Sequence, residues 1–174
     1  MKERNRNMKN AKTLAEMFAA HIEMILEGLK GHIVVFDFDG TMTEFRYAKE
    51  SLLPCRDDEV YEYSMTHNIY ANARMLETMK YIIANLDRER VFVLTRTETT
   101  LIDKKNEAIL KNFEINAENI FHVQDANNKL AVLRNLHNEF NENIVFVEDT
   151  FKTILNAEEA MSFVKGIHIS SFLI

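Results

Sequence analysis

Two aspartates one residue apart, Asp37 and Asp39, stand where the apolar run Ile33-Val34-Val35-Phe36 gives way to Gly40-Thr41. A short run rich in β-branched residues suits a strand covered on both faces, as in the middle of a parallel sheet. Inside such a strand a bare carboxylate is strongly disfavoured. The two acids therefore belong at its carboxyl end, in a crevice. Comparable runs end in comparable ways: Val91 to Leu94 stops on Thr95, and Asn143 to Val147 stops on Glu148-Asp149. Lys129 opens a helix behind the polar loop 124–128. Carboxylates brought this close repel one another unless a hard divalent cation lies among them, and an oxygen-rich donor set favours Mg²⁺. Lys129 beside such a cation makes an anion site suited to a phosphate group, where one aspartate can attack phosphorus and the other handle protons. Taken singly, each group has an ordinary role. Asp-x-Asp-Gly can be a polar turn, Thr95 a turn residue, Lys129 a solvated lysine, and Glu148-Asp149 a pair capping the next helix. Only the joint pattern argues for a site.

These groups need strands to carry them. From Thr13 the positions Leu14, Met17, Phe18, Ile22, Ile25, Leu26 and Leu29 form one helical stripe, and Gly28 and Gly31 bracket its end. A strand at 32–38 follows. Residues 44–70 are irregular and aromatic, with Pro54 breaking any long helix. The spacing then predicts a helix over 72–86, a strand over 91–95, a helix from 99 or 100 to 113 and a strand over 119–123. A helix from Lys129, a strand over 143–147, a helix through Ala160 and a strand over 166–169 complete the chain. Regular alternation of this kind predicts an α/β fold with a doubly wound, Rossmann-like parallel sheet of five strands. In such sheets ligands bind beyond the carboxyl ends, where the winding reverses. Period-two alternation along the first strand puts Asp37 and Asp39 on one face and turns Phe38 into the core.

Composition narrows the classes. The 174 residues suit one domain spanning 1–174, and 47% hydrophobic with 28% charged residues is an ordinary globular balance. A net charge of -6 argues against a general nucleic-acid-binding surface. Cys55 is the one cysteine, which excludes a disulfide framework and a cysteine metal site. No apolar segment is long enough to span a bilayer and no signal-peptide core appears, so a cytoplasmic location is the default. Residues 1–31 combine a basic arm, with Lys2, Arg4, Arg6, Lys9 and Lys12 against Glu3, and the amphipathic helix. That helix is expected to pack on the domain's own sheet; a homodimer contact or a cover over the site are its alternatives.

Asp37-Phe38-Asp39-Gly40-Thr41 resembles the first motif of the haloacid dehalogenase superfamily in its phosphatase form. Val91 to Thr95 is similar to the second motif, Lys129 to the third, and Val145 to Asp149 to the fourth, in the same order. The resemblance implies that Asp37 is a nucleophile forming an aspartyl-phosphate and also binds Mg²⁺. It implies that Asp39 protonates the leaving alkoxide, later activates water, and reaches the metal through its carbonyl. Thr95 would bond a phosphoryl oxygen, Lys129 would neutralise nucleophile and phosphate, and Asp149 with Glu148 would complete the metal site. Many members carry a further acid a few residues on, where this chain has Lys152 and Thr153. The adjacent pair is also a family variant, and Asp149 is the preferred direct ligand.

Members of this superfamily take specificity from cap insertions, and only 44–70 offers one here, as a small flap. Gly40, Thr41, Arg96, Arg46, Tyr47 and Arg56 are the substrate-contact candidates. The resemblance thus implies a Mg²⁺-dependent phosphomonoester hydrolase acting on a phosphorylated substrate. A phosphotransferase of the same superfamily and a catalytically silent binding or scaffold protein are the alternatives. A receiver-type signalling module is disfavoured, because its phosphate-accepting aspartate precedes Thr and Lys on a central strand.

Overall fold

In the computed structural model the described residues are 13–44, 66–71 and 73–172. The basic arm and most of the 44–70 insertion, with Arg46, Tyr47, Cys55 and Arg56, lie outside them.

Five short apolar strands form one parallel sheet: β1 (Ile33–Phe36), β2 (Val91–Arg96), β3 (Ile120–Val123), β4 (Ile144–Glu148) and β5 (Val164–His168). Their order is β3-β2-β1-β4-β5, with every neighbouring pair parallel. This is an α/β fold of Rossmann-like type, and the winding reverses about β1. Central β1 is buried at all four positions, which is why its sequence is apolar without alternation.

Alternate residues of β1 serve different cores. Val34 and Phe36 join a cluster with α1 (Leu14–Leu29), α2 (Glu77–Ala84) and α3 (Ile102–Asn112). Ile33 and Val35 join one with α4 (Lys129–Phe140) and α5 (Phe151–Ala160). The first three helices therefore cover one face and the last two the other, as right-handed crossovers on either side of a reversal require.

Helix α1 begins with a capping box, in which Thr13 and Glu16 satisfy each other's backbone N–H groups. Its second half buries Ile22, Leu26 and Leu29 on the sheet, while Leu14 and Met17 stay exposed. Tyr81 of α2 donates to Glu23 at 2.6 Å, and His21 donates to the Ser171 carbonyl at 2.8 Å, fixing the helix in place. Helix α2 is shorter than the 72–86 expected. Met75 is drawn into a bridge with Thr43, and Leu76 N–H donates to the Met42 carbonyl, so that turn serves the segment after β1 instead of the helix. The last strand starts at Val164, two residues before the expected Gly166. There Gly166 sits where an added Cβ would lie 2.2 Å from Cγ2 of Ile154, so α5 can approach β5 closely.

At the pole where the strands begin, Arg90 makes a two-pronged salt bridge to Glu142, at 2.6 and 2.9 Å, and donates to the Gly31 carbonyl at 3.1 Å. The chemistry-bearing residues lie at the other pole. Among the described residues, no helix is long and apolar enough to cross a membrane.

Candidate functional site

Strand β1 stops at Phe36, before the acids. Asp37 N–H still donates to the Val147 carbonyl at 2.9 Å, which aligns Asp37 with the end of β4. Thr41, Met42 and Thr43 then all donate their N–H groups to the Phe38 carbonyl, at 3.3, 2.9 and 3.2 Å. This tight wrap is possible because Gly40 adopts φ 75°, a left-handed conformation that side chains disfavour. Phe38 is fully buried in the core, as expected. Asp39 lies past the end of β1, in an isolated bridge with Thr43, and the two acids do not share one partner. Each acid instead meets its own lysine.

Asp37 belongs to the β4 side. Lys129, at the first position of α4, donates to Asp37 Oδ1 at 2.6 Å and to Glu148 Oε2 at 2.7 Å. All three side chains are buried, with relative exposures of 6% for Lys129, 7% for Asp37 and 3% for Glu148. Burial raises Asp37 above the usual carboxylate range, and the charges of Glu148 and Asp39 add to this against the pull of Lys129. Burial likewise raises Glu148. For Lys129 burial works downward, but the charges of Asp37 and Glu148 outweigh it and raise it. One ammonium thus stands between two carboxylates that have lost their water. The second Glu148 oxygen accepts from the Thr150 N–H at 3.1 Å, so both of its oxygens are engaged. Asp149 is less buried. Asp37, Glu148 and Asp149 each offer an oxygen within 4.8 Å of the others. These three carboxylates are the described residues that could hold a hard divalent cation. Asp39 is not part of this group through its carboxylate.

Asp39 belongs to the β2 side, where the structure supplies a residue that sequence reasoning missed. Lys105 of α3 is 1% exposed. Its ammonium donates to Asp39 Oδ2 at 2.6 Å, to the Arg96 carbonyl at 2.8 Å and to Thr95 Oγ1 at 3.1 Å. Tyr70 and Phe38 flank it, with ring centroids 5.3 and 5.8 Å from Nζ. Burial, then the charges of Asp39 and Asp37, push the Tyr70 phenol up. The signal that could have found Lys105 is its phase: Leu101, Lys105, Ala108 and Ile109 share the buried side of this segment. Thr95 is fully buried at the end of β2. The Arg96 side chain is exposed, and this residue enters the cluster through its main-chain carbonyl.

Two histidines stand behind these halves. His122 on β3 is bonded to Thr97 Oγ1 at 2.9 Å and Asn106 Oδ1 at 2.7 Å. Burial, reinforced by the Lys105 charge, lowers it to about 4. His168 closes β5: Ser170 N–H donates to its Nδ1, which leaves Nε2–H to donate to the Asp149 carbonyl at 2.7 Å. Thr41 Oγ1 is buried with no hydrogen-bond partner among the described residues. Arg46, Tyr47 and Arg56 lie outside the described residues.

Compared with protein-family models and with curated protein sequences, the chain matches none.

Proposed function

We propose that the chain is a Mg²⁺-dependent phosphomonoester hydrolase of the haloacid dehalogenase superfamily. The observation that carries this reading is the meeting of Asp37, Asp39, Thr95, Lys129, Glu148 and Asp149, from four separate stretches, at the carboxyl ends of β1, β2 and β4. That is the order and placement the motif resemblance implies. Among the described residues, Asp37, Asp39, Glu148 and Asp149 face Lys105 and Lys129, an acid-rich set that suits a divalent cation. Asp37, Asp149 and Glu148 would hold it, with Asp149 favoured as a direct ligand because Glu148 already serves Lys129 and Thr150. A bound Mg²⁺ supplies charge stabilisation to the phosphoryl oxygens.

In the first step an Asp37 oxygen attacks phosphorus, the bond from phosphorus to the ester oxygen breaks, and Asp39 gives its proton to the departing oxygen. In the second, water attacks the aspartyl-phosphate, Asp39 takes a proton from that water, and the acyl-phosphate bond breaks to return the Asp37 carboxylate. Lys129 stays against Asp37 throughout and offsets its charge. The Thr95 hydroxyl donates to a phosphoryl oxygen. Gly40 and the buried Thr41 hydroxyl lie in the turn that follows the two acids, which supports them as contacts for the substrate.

The strand order counts against the receiver-type alternative, whose sheet runs 2-1-3-4-5 where this one runs β3-β2-β1-β4-β5. Hydrolysis of an aryl phosphate with Mg²⁺, its loss in EDTA, and a loss of at least about 10³-fold in kcat for Asp37→Asn are the expected results. Undiminished turnover in that variant would remove the mechanism. Phosphoryl appearance on an added alcohol in place of free phosphate would convert the reading to phosphotransfer.

A further inference from the structure

We propose that Lys105 is a positioning residue of this site, fixing the Asp39 carboxylate and the Thr95 hydroxyl in the orientations that proton transfer and phosphoryl binding need. The inference rests on the hydrolase reading above and adds a second lysine to it.

Lys105 stands where a lysine is physically disfavoured. It occupies the first turn of α3, at the positive end of the helix dipole, where a cation is destabilising. It lies on the buried side of its segment, between Leu101 and Ala108, where an apolar side chain would pack without desolvating a charge. Leu or Met there would hold α3 on the sheet at least as well, so packing does not account for a cation.

What the ammonium does accounts for it. Its three hydrogens match three acceptors from two places: Asp39 Oδ2 from the turn after β1, and Thr95 Oγ1 and the Arg96 main-chain carbonyl from the end of β2. An ammonium tied to two fixed points of β2 is itself fixed, and it transmits that position to Asp39, which lies on a turn outside any strand. Because Thr95 Oγ1 accepts from Lys105, its own hydrogen turns away from the ammonium, where it makes only a long 3.4 Å contact to the Arg96 carbonyl that a phosphoryl oxygen would replace. Thr95 is thereby set as a donor, which is the role a phosphoryl oxygen requires. Phe38 and Tyr70 close the sides of the slot and keep water from competing for the ammonium.

The test compares kcat/KM for two esters in the Mg²⁺-loaded protein. An alkyl phosphate needs its leaving oxygen protonated, whereas p-nitrophenyl phosphate does not. Loss of Asp39 alignment therefore falls on the first. For Lys105→Met we expect a loss of about 10²-fold with the alkyl ester, the scale of a misplaced general acid, and less than about tenfold with the aryl ester. In an Asp39→Asn background the same substitution should add no more than the loss seen with the aryl ester, less than about tenfold, because only its hold on Thr95 is left to lose. Melting within about 3 °C of the parent is expected, because Asp39 can be solvated when the lysine is gone. Lys105→Gln repeats the comparison if the methionine variant does not fold. Equal losses on both esters, or full additivity with Asp39→Asn, would overturn the proposal and leave Lys105 a structural residue. A parent protein that hydrolyses neither ester would instead overturn the hydrolase reading itself.

Discussion

The two lysines of the site sit in opposite settings. Lys129 is enclosed with two carboxylates that are themselves 7% and 3% exposed, so each member of that trio depends on the others. Lys105 is equally buried, but its one carboxylate partner, Asp39, is 27% exposed and its other partners are neutral oxygens. Burial of the cation is similar; burial of the anion differs. Removing Lys129 strands two desolvated carboxylates, while removing Lys105 takes its ammonium from one carboxylate that already reaches water. The lesson is that a buried ammonium can hold a fold together or aim a side chain, and the exposure of its partner separates the two.

The sharpest way to break this contrast is Lys129→Met. It should lower unfolding free energy by about 3–5 kcal/mol at neutral pH without added metal, the usual cost of orphaning a buried charge. Urea titration measures it, and the loss should shrink at mildly acid pH as the carboxylates take up protons. A Lys129→Met protein as stable as its Lys105→Met counterpart would erase the distinction.

A control with no tie to either lysine comes next. Gly166→Ala forces a methyl group against Ile154 and should cost about 1–3 kcal/mol. It should leave the ratio of alkyl to aryl phosphate turnover unchanged, since β5 at that point touches neither half of the site. A changed ratio would mean that activity follows global stability and not the aim of Asp39.

The smallest expected effect lies behind Lys105. His122 is lowered to about 4 in the folded protein, against about 6.5 when unfolded. The unfolded chain binds the proton first, so this histidine's contribution is complete above pH 6.5 and is lost as pH falls from about 6.5 toward about 4. His122→Asn removes that proton uptake. Its urea midpoint should therefore fall less between pH 7 and pH 5 than the parent's; parallel slopes would place the imidazole's titration elsewhere.

Much of this arrangement is legible in the sequence. Continuous runs such as Ile33 to Phe36 and Ile144 to Val147 could belong only to strands covered on both sides, and the alternating helices fixed their parallel sense. The placement of Asp37, Lys129 and Glu148 together follows from those runs and from the start of α4. What escaped has physical causes. Lys105 sits in a helix with Lys104 and Lys111, where a lysine reads as solvated; its phase with Leu101 and Ala108 marks it as buried, and the meeting with Asp39 and Thr95 shows what it holds. The separate partner of Asp39 was hidden because it comes from α3, a helix that no motif singled out. Arg96 enters the cluster through its carbonyl, a role that side-chain type does not reveal. His168 was hidden for another reason: a histidine near the end of an edge strand gives no sequence hint that its ring will meet a loop carbonyl after β4.

The Arg90–Glu142 clasp with the Gly31 carbonyl joins the segments just before β1, β2 and β4. It gives the molecule a blunt pole for handling. A tether or dye attached around residues 139–143 would orient immobilised molecules with the acids, lysines and Thr95 facing the liquid. The same attachment would report on loosening of the clasp by salt, a signal from the far end of the sheet.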